Sequence, residues 1–183
     1  MKRPCWSWKI TIDCLGNGTL RGQPYFTHVS EDDFAIIHEN LNGGRRGTRD
    51  PWFGLLLHRS ELARVGLNAS QARERCVAYL VASVPVASGW RPWTISEKRG
   101  FMKTLIDAHS DRILGFTAFG PEAGELMGTV RLAMLAGLPY TTLRDAMFAH
   151  PTMTEGLKAL FMSVPERLEN HAEQTQHART PAD

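Results

Sequence analysis

The sequence contains few cysteines, and none stands at a spacing typical of redox or metal chemistry. There are three, Cys5, Cys14 and Cys76, with no Cys-x-x-Cys or Cys-x-x-x-x-Cys pair among them. An odd number without such spacing argues against both a disulfide framework and a thiol redox centre. The seven histidines are scattered along the chain, and none pairs with another His or a Cys as a preformed tetrahedral site requires. We therefore expect three free thiols and no metal site.

Glycine-rich loops that hold a dinucleotide pyrophosphate are also missing. Such loops need close backbone approach and a helix amino end. The nearest match is residues 16–21, where Arg21 stands in place of the third glycine, without an apolar strand before it or a helical run after it. We interpret this segment as an ordinary loop.

Neither a strong charge of one sign nor a long apolar run is present. The 21 basic and 19 acidic residues give a formal net charge of +2, so the charge favours neither nucleic acid nor an anionic membrane as a partner. No run approaches the roughly 18 apolar residues of a membrane span. The first residues lead into Lys9 and Asp13 instead of an apolar signal core. We expect a cytoplasmic protein without a nucleic-acid or membrane partner.

The chain divides at a basic, polar stretch that can neither bury apolar area nor continue a helix through Pro51. Before it, Ser30 is a candidate N-cap for a helix with acidic residues in its first turn, and Asn42-Gly43-Gly44 ends that helix. The 43% of hydrophobic residues supplies the core of one domain with an arm. The predicted segments are an amino-terminal part, 1–44, a linker, 45–51, a main domain, 52–164, and a polar tail, 165–183.

The main domain combines strand and helix patterns. Residues 101–107 and 113–119 predict an antiparallel hairpin around the polar turn 108–112. A helix opening at Pro121 presents one apolar stripe and ends at Gly137. The other predicted elements are a strand over 52–58, a helix over 70–76, a strand over 77–84, and short helices capped by Thr142 with Asp145 and by Thr152 with Glu155. This order indicates an α+β fold with an antiparallel sheet covered by helices.

Four motifs carry a resemblance to a known family. They are Ser60 to Leu67 (SELARVGL), Arg99 to Lys103 (RGFMK), Ile113 to Phe116 with Gly120 to Glu125 (ILGF and GPEAGE), and His150 to Glu155 (HPTMTE). In this order they make the chain, from about Phe26 onward, similar to the class I pyridine nucleotide-disulfide oxidoreductases. These flavin disulfide reductases include the glutathione, mercuric and dihydrolipoamide reductases. The resemblance implies their C-terminal dimerisation domain, which forms a homodimer interface.

The resemblance also implies a role for His150 and Glu155. In complete family members a His-Pro segment reaches into the active site of the partner subunit, with an acid five positions after the histidine. An imidazole can exchange protons with a thiol near neutral pH, and a carboxylate on its other nitrogen fixes the tautomer. From the residues alone, Thr152 and Glu155 also fit a capping box, and His150 fits an ordinary surface position before a helix.

Candidate flavin contacts precede the linker. Residues 26–44 resemble the last helix of the flavin domain, whose amino end, at Phe26, Thr27 and His28, would face the flavin ring. The dipole of a helix amino end suits an electron-rich reduced ring. Asp13 is a candidate for the flavin-binding acid, although Ile12 stands where the family has glycine and the following stretch is longer than usual.

Two functions remain open. In the first, the chain is part of an FAD- and NAD(P)H-dependent oxidoreductase. This part lacks the nucleotide-binding domains and the redox cysteines, so alone it would bind no cofactor and be inactive. In the second, it is a non-enzymatic dimerisation module that pairs with itself or with an intact reductase subunit. An upstream reading frame encoding the glycine-rich and cysteine motifs would favour the first.

Overall fold

The computed structural model describes residues 27–47, 53–56 and 61–166. The chain forms two compact units, Met1–Gly54 and Leu55–Asp183. The predicted linker, 45–51, and the predicted tail, 165–183, lie partly outside the described residues, and their limits stay a prediction.

The described part of the first unit contains helix α1, Thr27–Leu41. Its predicted start at Ser30 is wrong, because Thr27 to Val29 contain no helix breaker and the helix extends about one turn further toward its amino end. Its predicted end is confirmed. Gly43 has a φ of +88°, and the Gly44 amide donates to the Glu39 carbonyl oxygen at 2.9 Å, which is the Schellman arrangement of a helix end.

A five-stranded sheet in the order β1-β2-β5-β4-β3 organises the second unit. Each of the pairs β2–β5, β5–β4 and β4–β3 is antiparallel. The predicted α+β fold is therefore confirmed. The strands are β1, Phe53–Leu56, β2, Glu61–Gly66, β3, Tyr79–Pro85, β4, Phe101–Asp107, and β5, Ile113–Gly120.

Strand β2 is an element that the sequence did not predict. Its inward residues Ala63 and Val65 are fully buried, whereas Leu62 and Arg64 alternate with them toward the other face. Alanine has a low preference for strands and Arg64 interrupts the apolar pattern, so the local signal is weak. The strand is stabilised instead by its pairing with β5, in which Ala63 lies opposite Ala118.

One face of the sheet forms the core. Thr104 lies on this face, and its hydroxyl is buried and donates to the Gly115 carbonyl oxygen at 3.1 Å. The other face carries half-exposed residues such as Phe101 and Phe119, whose ring centroids are 6.2 Å apart. The buried face is contributed by four strands: Ala63, Val65, Ala82, Met102, Thr104, Phe116 and Ala118.

Helices cover the buried face. Helix α4 presents the predicted stripe toward the sheet, with Leu126, Met127 and Val130 buried, and Gly137, at a φ of +67°, follows its end as predicted. The helices of the second unit are α2, Ala69–Glu74, α3, Arg91–Thr94, α4, Ala123–Leu135, α5, Tyr140–Asp145, and α6, Gly156–Met162, with a 3-10 turn at Val86–Ser88.

The starts of α4 and α5 also differ from the prediction. Glu122 has a φ of +52°, so α4 begins after it and Pro121 remains outside the helix; Glu61 of β2 accepts a hydrogen bond from the Gly124 amide at 2.9 Å. Thr142 lies inside α5 and does not cap it. The Tyr140 amide donates to the Asp111 carbonyl oxygen at 2.9 Å, so a long-range bond sets where α5 begins.

Candidate functional site

The predicted site residues divide into those the structure describes and those it does not. Asp13 and Phe26 lie outside the described residues. Thr27 is the exposed first residue of α1, and His28 follows it in the same helix, where its side chain is not described. His150 and Glu155 lie in the second unit and are fully described.

His150 and Glu155 form a hydrogen-bonded pair. The distance from His150 Nδ1 to Glu155 Oε2 is 2.8 Å. The side chain of His150 is 63% exposed, whereas that of Glu155 is only 16% exposed. The imidazole therefore stands at the surface while its acid partner is anchored in the protein.

The turn before α6 holds this pair in place. Thr152 donates its hydroxyl to the Ala149 carbonyl oxygen at 2.8 Å and accepts the Glu155 amide at 3.3 Å. Immediately afterwards α6 begins at Gly156, and its Leu157 is fully buried. The acid of the pair thus sits where an irregular turn joins a well-packed helix.

The predicted capping box of Thr152 and Glu155 forms only in half. The Thr152 hydroxyl accepts the Glu155 amide, as a capping box requires. The Glu155 carboxylate, however, turns to His150, and the residue at the N-cap of α6 is Glu155 itself. The carboxylate is therefore committed to the imidazole instead of the backbone.

This arrangement fixes how the imidazole can exchange protons. An ionised carboxylate only accepts hydrogen bonds, so Nδ1 must donate to Glu155. In the neutral ring Nε2 is then the acceptor, and it becomes a donor when the ring is protonated. The exposed edge of His150 can thus take up or release one proton, as a general acid or base does.

Trp90 is a neighbour of the pair that the sequence did not identify. Its ring centroid lies 6.5 Å from that of His150, with an angle of 73° between the planes. The two residues are 60 positions apart, so no local pattern links them. The sequence signal was an aromatic pair, Trp90 and Trp93, in a loop rich in Ser, Gly and Pro.

Two glycines of the sheet, Gly66 and Gly120, stand where neighbouring backbone approaches closely. A Cβ at Gly66 would lie 2.3 Å from the Leu114 carbonyl oxygen, and one at Gly120 would lie 3.1 Å from that of Arg99. At these two positions the missing side chain makes room for neighbouring protein backbone.

Two further features are missing from the described residues. They contain no cluster of three His, Cys, Asp or Glu side chains placed to hold a metal ion. Within the same ranges, no helix combines the length and the apolar character needed to cross a membrane.

Comparison with known proteins gives matches that agree with one another. The family model described as pyridine nucleotide-disulphide oxidoreductase, dimerisation domain, matches residues 54–161. The probable pyridine nucleotide-disulfide oxidoreductase RclA of Escherichia coli is 36% identical over 152 residues, which cover 80% of this chain and 34% of that protein. The mitochondrial dihydrolipoyl dehydrogenase of Schizosaccharomyces pombe is 29% identical over 153 residues, covering 83% and 30% respectively.

Solved structures agree with these matches. The HOCl-induced flavoprotein disulfide reductase RclA from Escherichia coli superimposes with a TM-score of 0.76 at 36% identity, over 81% of this chain and 35% of that one. LpdA from Mycobacterium tuberculosis, 19% identical, shares the fold with a TM-score of 0.71, over 77% of this chain and 31% of its own. The chain spans about a third of the length of these relatives. Because the family model covers more than half of the 183 residues, the chain belongs to the pyridine nucleotide-disulphide oxidoreductase family, whose dimerisation domain it carries.

Proposed function

We propose that this chain is the dimerisation part of an FAD-dependent pyridine nucleotide-disulfide oxidoreductase and that His150 and Glu155 relay protons in the active site of the partner subunit. The FAD, the NAD(P)H site and the redox cysteines belong, in this proposal, to parts of the enzyme other than the described residues. The observation that carries the proposal is the 2.8 Å hydrogen bond from an exposed imidazole to a largely buried carboxylate.

The division of exposure between the two side chains suits a relay across a subunit interface. His150 is accessible to a second molecule, and its Nε2 is not engaged by Glu155. The carboxylate sets the tautomer and stabilises the protonated ring. When the partner's cysteine thiol loses a proton, Nε2 accepts it, and the same atom returns it in the reverse step.

An apolar stripe on α4 supports self-association. Leu132 and Leu135 are 68% and 45% exposed, and they lie on the helix side opposite the buried Leu126 and Val130. Gly128 is on the same side, and a Cβ there would meet nothing within 4 Å. A second helix can therefore approach this surface closely and cover the two leucines.

The relay is tested by supplying His150 to an active site that lacks its own histidine. In a related flavoprotein disulfide reductase, the histidine that matches His150 is replaced by alanine, and the purified protein is mixed and refolded with this chain. We expect NAD(P)H oxidation to rise because hybrid dimers receive His150. The same chain carrying His150→Ala is the matched control and should form the hybrid without restoring turnover.

Two results would contradict parts of the proposal. Hybrid dimers that form but remain inactive would leave a non-enzymatic dimerisation module as the function, an alternative that the α4 stripe supports independently of the relay. Failure of the chain to associate either with itself or with the reductase would contradict the dimerisation role.

A further inference from the structure

Trp90 lies beside the proton-relay pair without being part of it. The indole is 68% exposed, which is unusual for the largest apolar side chain. Its ring meets the His150 imidazole at 6.5 Å and 73°, in the edge-to-face range of aromatic pairs.

Buried neighbours on both sides hold this exposed tryptophan in place. Val86 is 2% exposed, and Pro92 is fully buried. Between them, the Gly89 amide donates to the Val86 carbonyl oxygen at 3.2 Å. The loop that presents Trp90 is therefore pinned to the domain at both ends.

The same loop contacts the first residue of α6. A Cβ at Gly89 would lie 3.5 Å from the Gly156 Cα, so the two backbones approach closely. Gly156 directly follows Glu155, the acid of the relay pair. Trp90 and the His150–Glu155 pair are thus carried by two segments that pack against each other.

We propose that Trp90 is a positioning residue that holds the His150 imidazole in one orientation. The hydrogen bond to Glu155 fixes Nδ1 but leaves the ring free to swing about that bond. An exposed imidazole held at one atom populates several orientations. Contact with the indole restricts the swing, so that Nε2 points in one direction. This inference rests on the proposed relay function of His150 and Glu155.

The test is NMR of the full chain with isotope-labelled histidine. Ring ¹⁵N shifts report which nitrogen of His150 carries the proton, and side-chain relaxation reports how well the ring is ordered. Trp90→Ala should lower the order of the His150 ring while Nδ1 keeps the proton. Trp90→Phe, which retains an aromatic ring, should restore most of the order.

Trp93 provides the matched control. It is 53% exposed, but its indole N–H donates to the Ala87 carbonyl oxygen at 3.0 Å, and Lys98 Nζ lies 3.5 Å from its ring centroid. Trp93→Ala should therefore leave the His150 signals unchanged. An equal loss of order in Trp90→Ala and Trp93→Ala would indicate general loosening of the loop and overturn the positioning role.

Glu155→Ala separates this inference from the proposed function. If the Glu155 carboxylate holds Nδ1–H, the alanine variant, which has no side-chain acceptor, should lose the preference for a proton on Nδ1. A parent protein that shows no such preference would contradict the relay geometry itself. A parent with the preference, but with unchanged ring order in Trp90→Ala, would contradict only the role of Trp90.

Discussion

The Thr152 hydroxyl joins both ends of the turn that carries the His150–Glu155 pair. It donates to the Ala149 carbonyl oxygen and accepts from the Glu155 amide. Thr152→Val removes both hydrogen bonds with little change of shape. We expect the free energy of unfolding to fall by about 1 kcal/mol, the usual effect of losing such hydrogen bonds.

Thr152→Ser is the control for that substitution, because it keeps the hydroxyl and loses only a methyl group. Urea denaturation of the three proteins measures the difference. Equal midpoints for the parent and Thr152→Val would mean that the hydroxyl contributes nothing and that packing of α6 alone fixes the turn.

The pairing of His150 with Glu155 could be predicted, whereas the contact with Trp90 could not. The five-residue spacing of the pair lies within one motif of the family, so a resemblance was enough to identify it. Trp90 reaches His150 only because the Gly89 and Gly156 backbones meet. That contact depends on the tertiary fold, which a local reading of the chain does not contain.

At the scale of the elements, the outer side of α4 is the surface where a single charge should matter most. Leu132→Asp places a carboxylate on the exposed stripe without touching the buried residues of the helix. If a second copy covers Leu132, losing its burial should raise the dimer dissociation constant by at least about tenfold. Sedimentation velocity over a range of concentrations measures this.

Met162→Asp is the matched control for Leu132→Asp. Met162 is 66% exposed at the end of α6, away from the α4 stripe in the sequence, and its substitution should leave the dissociation constant unchanged. A parent chain that is monomeric at micromolar concentration, or equal weakening by both substitutions, would show that the α4 stripe is not the interface.

The β4–β5 turn should make part of the stability depend on pH. Asp107 Oδ1 accepts the amides of His109 and Ser110 at 2.7 and 3.3 Å. The bond from the His109 amide, aided by those from Ser110, lowers the pKa of Asp107 below its ordinary value. Because the folded-state pKa is the lower one, this stabilisation is complete above the unfolded pKa and is lost as pH falls through the folded pKa.

Asp107→Asn isolates this contribution, because the amide oxygen can still accept the His109 amide but does not titrate. The difference in melting temperature between the parent and Asp107→Asn should shrink as the pH is lowered through the acidic range. A difference that stays constant over that range would mean that the Asp107 charge does not stabilise the turn.

Local signals predicted the elements with strong periodicity and missed those set by distant contacts. The β4–β5 hairpin and the buried apolar face of α4 were predicted from residues within each element. Strand β2 depends on β5, and the start of α5 depends on a bond to Asp111. In both of these cases, the hydrogen-bond partner is more than 25 positions away along the chain.

At the scale of the whole molecule, the described residues place the hydrogen-bonded His150–Glu155 pair and the exposed leucines of α4 on one α+β domain. The chain spans about a third of the length of its relatives. Flavin binding and NAD(P)H oxidation can be measured directly on the 183-residue chain.

We expect the 183-residue chain by itself to be colourless and to lack NAD(P)H-dependent reductase activity. A bound pyrophosphate needs a glycine-rich turn at a helix amino end. Gly66 and Gly120 instead accommodate neighbouring backbone, and in residues 16–21 Arg21 replaces the third glycine. The amino end of α1 alone cannot replace that cradle, even if its dipole favours a reduced flavin.

A visible absorption spectrum after incubation with excess FAD and gel filtration measures the retained flavin, and a complete flavoprotein reductase treated identically is the positive control. Flavin retained at near-stoichiometric occupancy would contradict the expectation. The first residues to substitute would then be the candidate flavin contacts, Asp13, Phe26, Thr27 and His28.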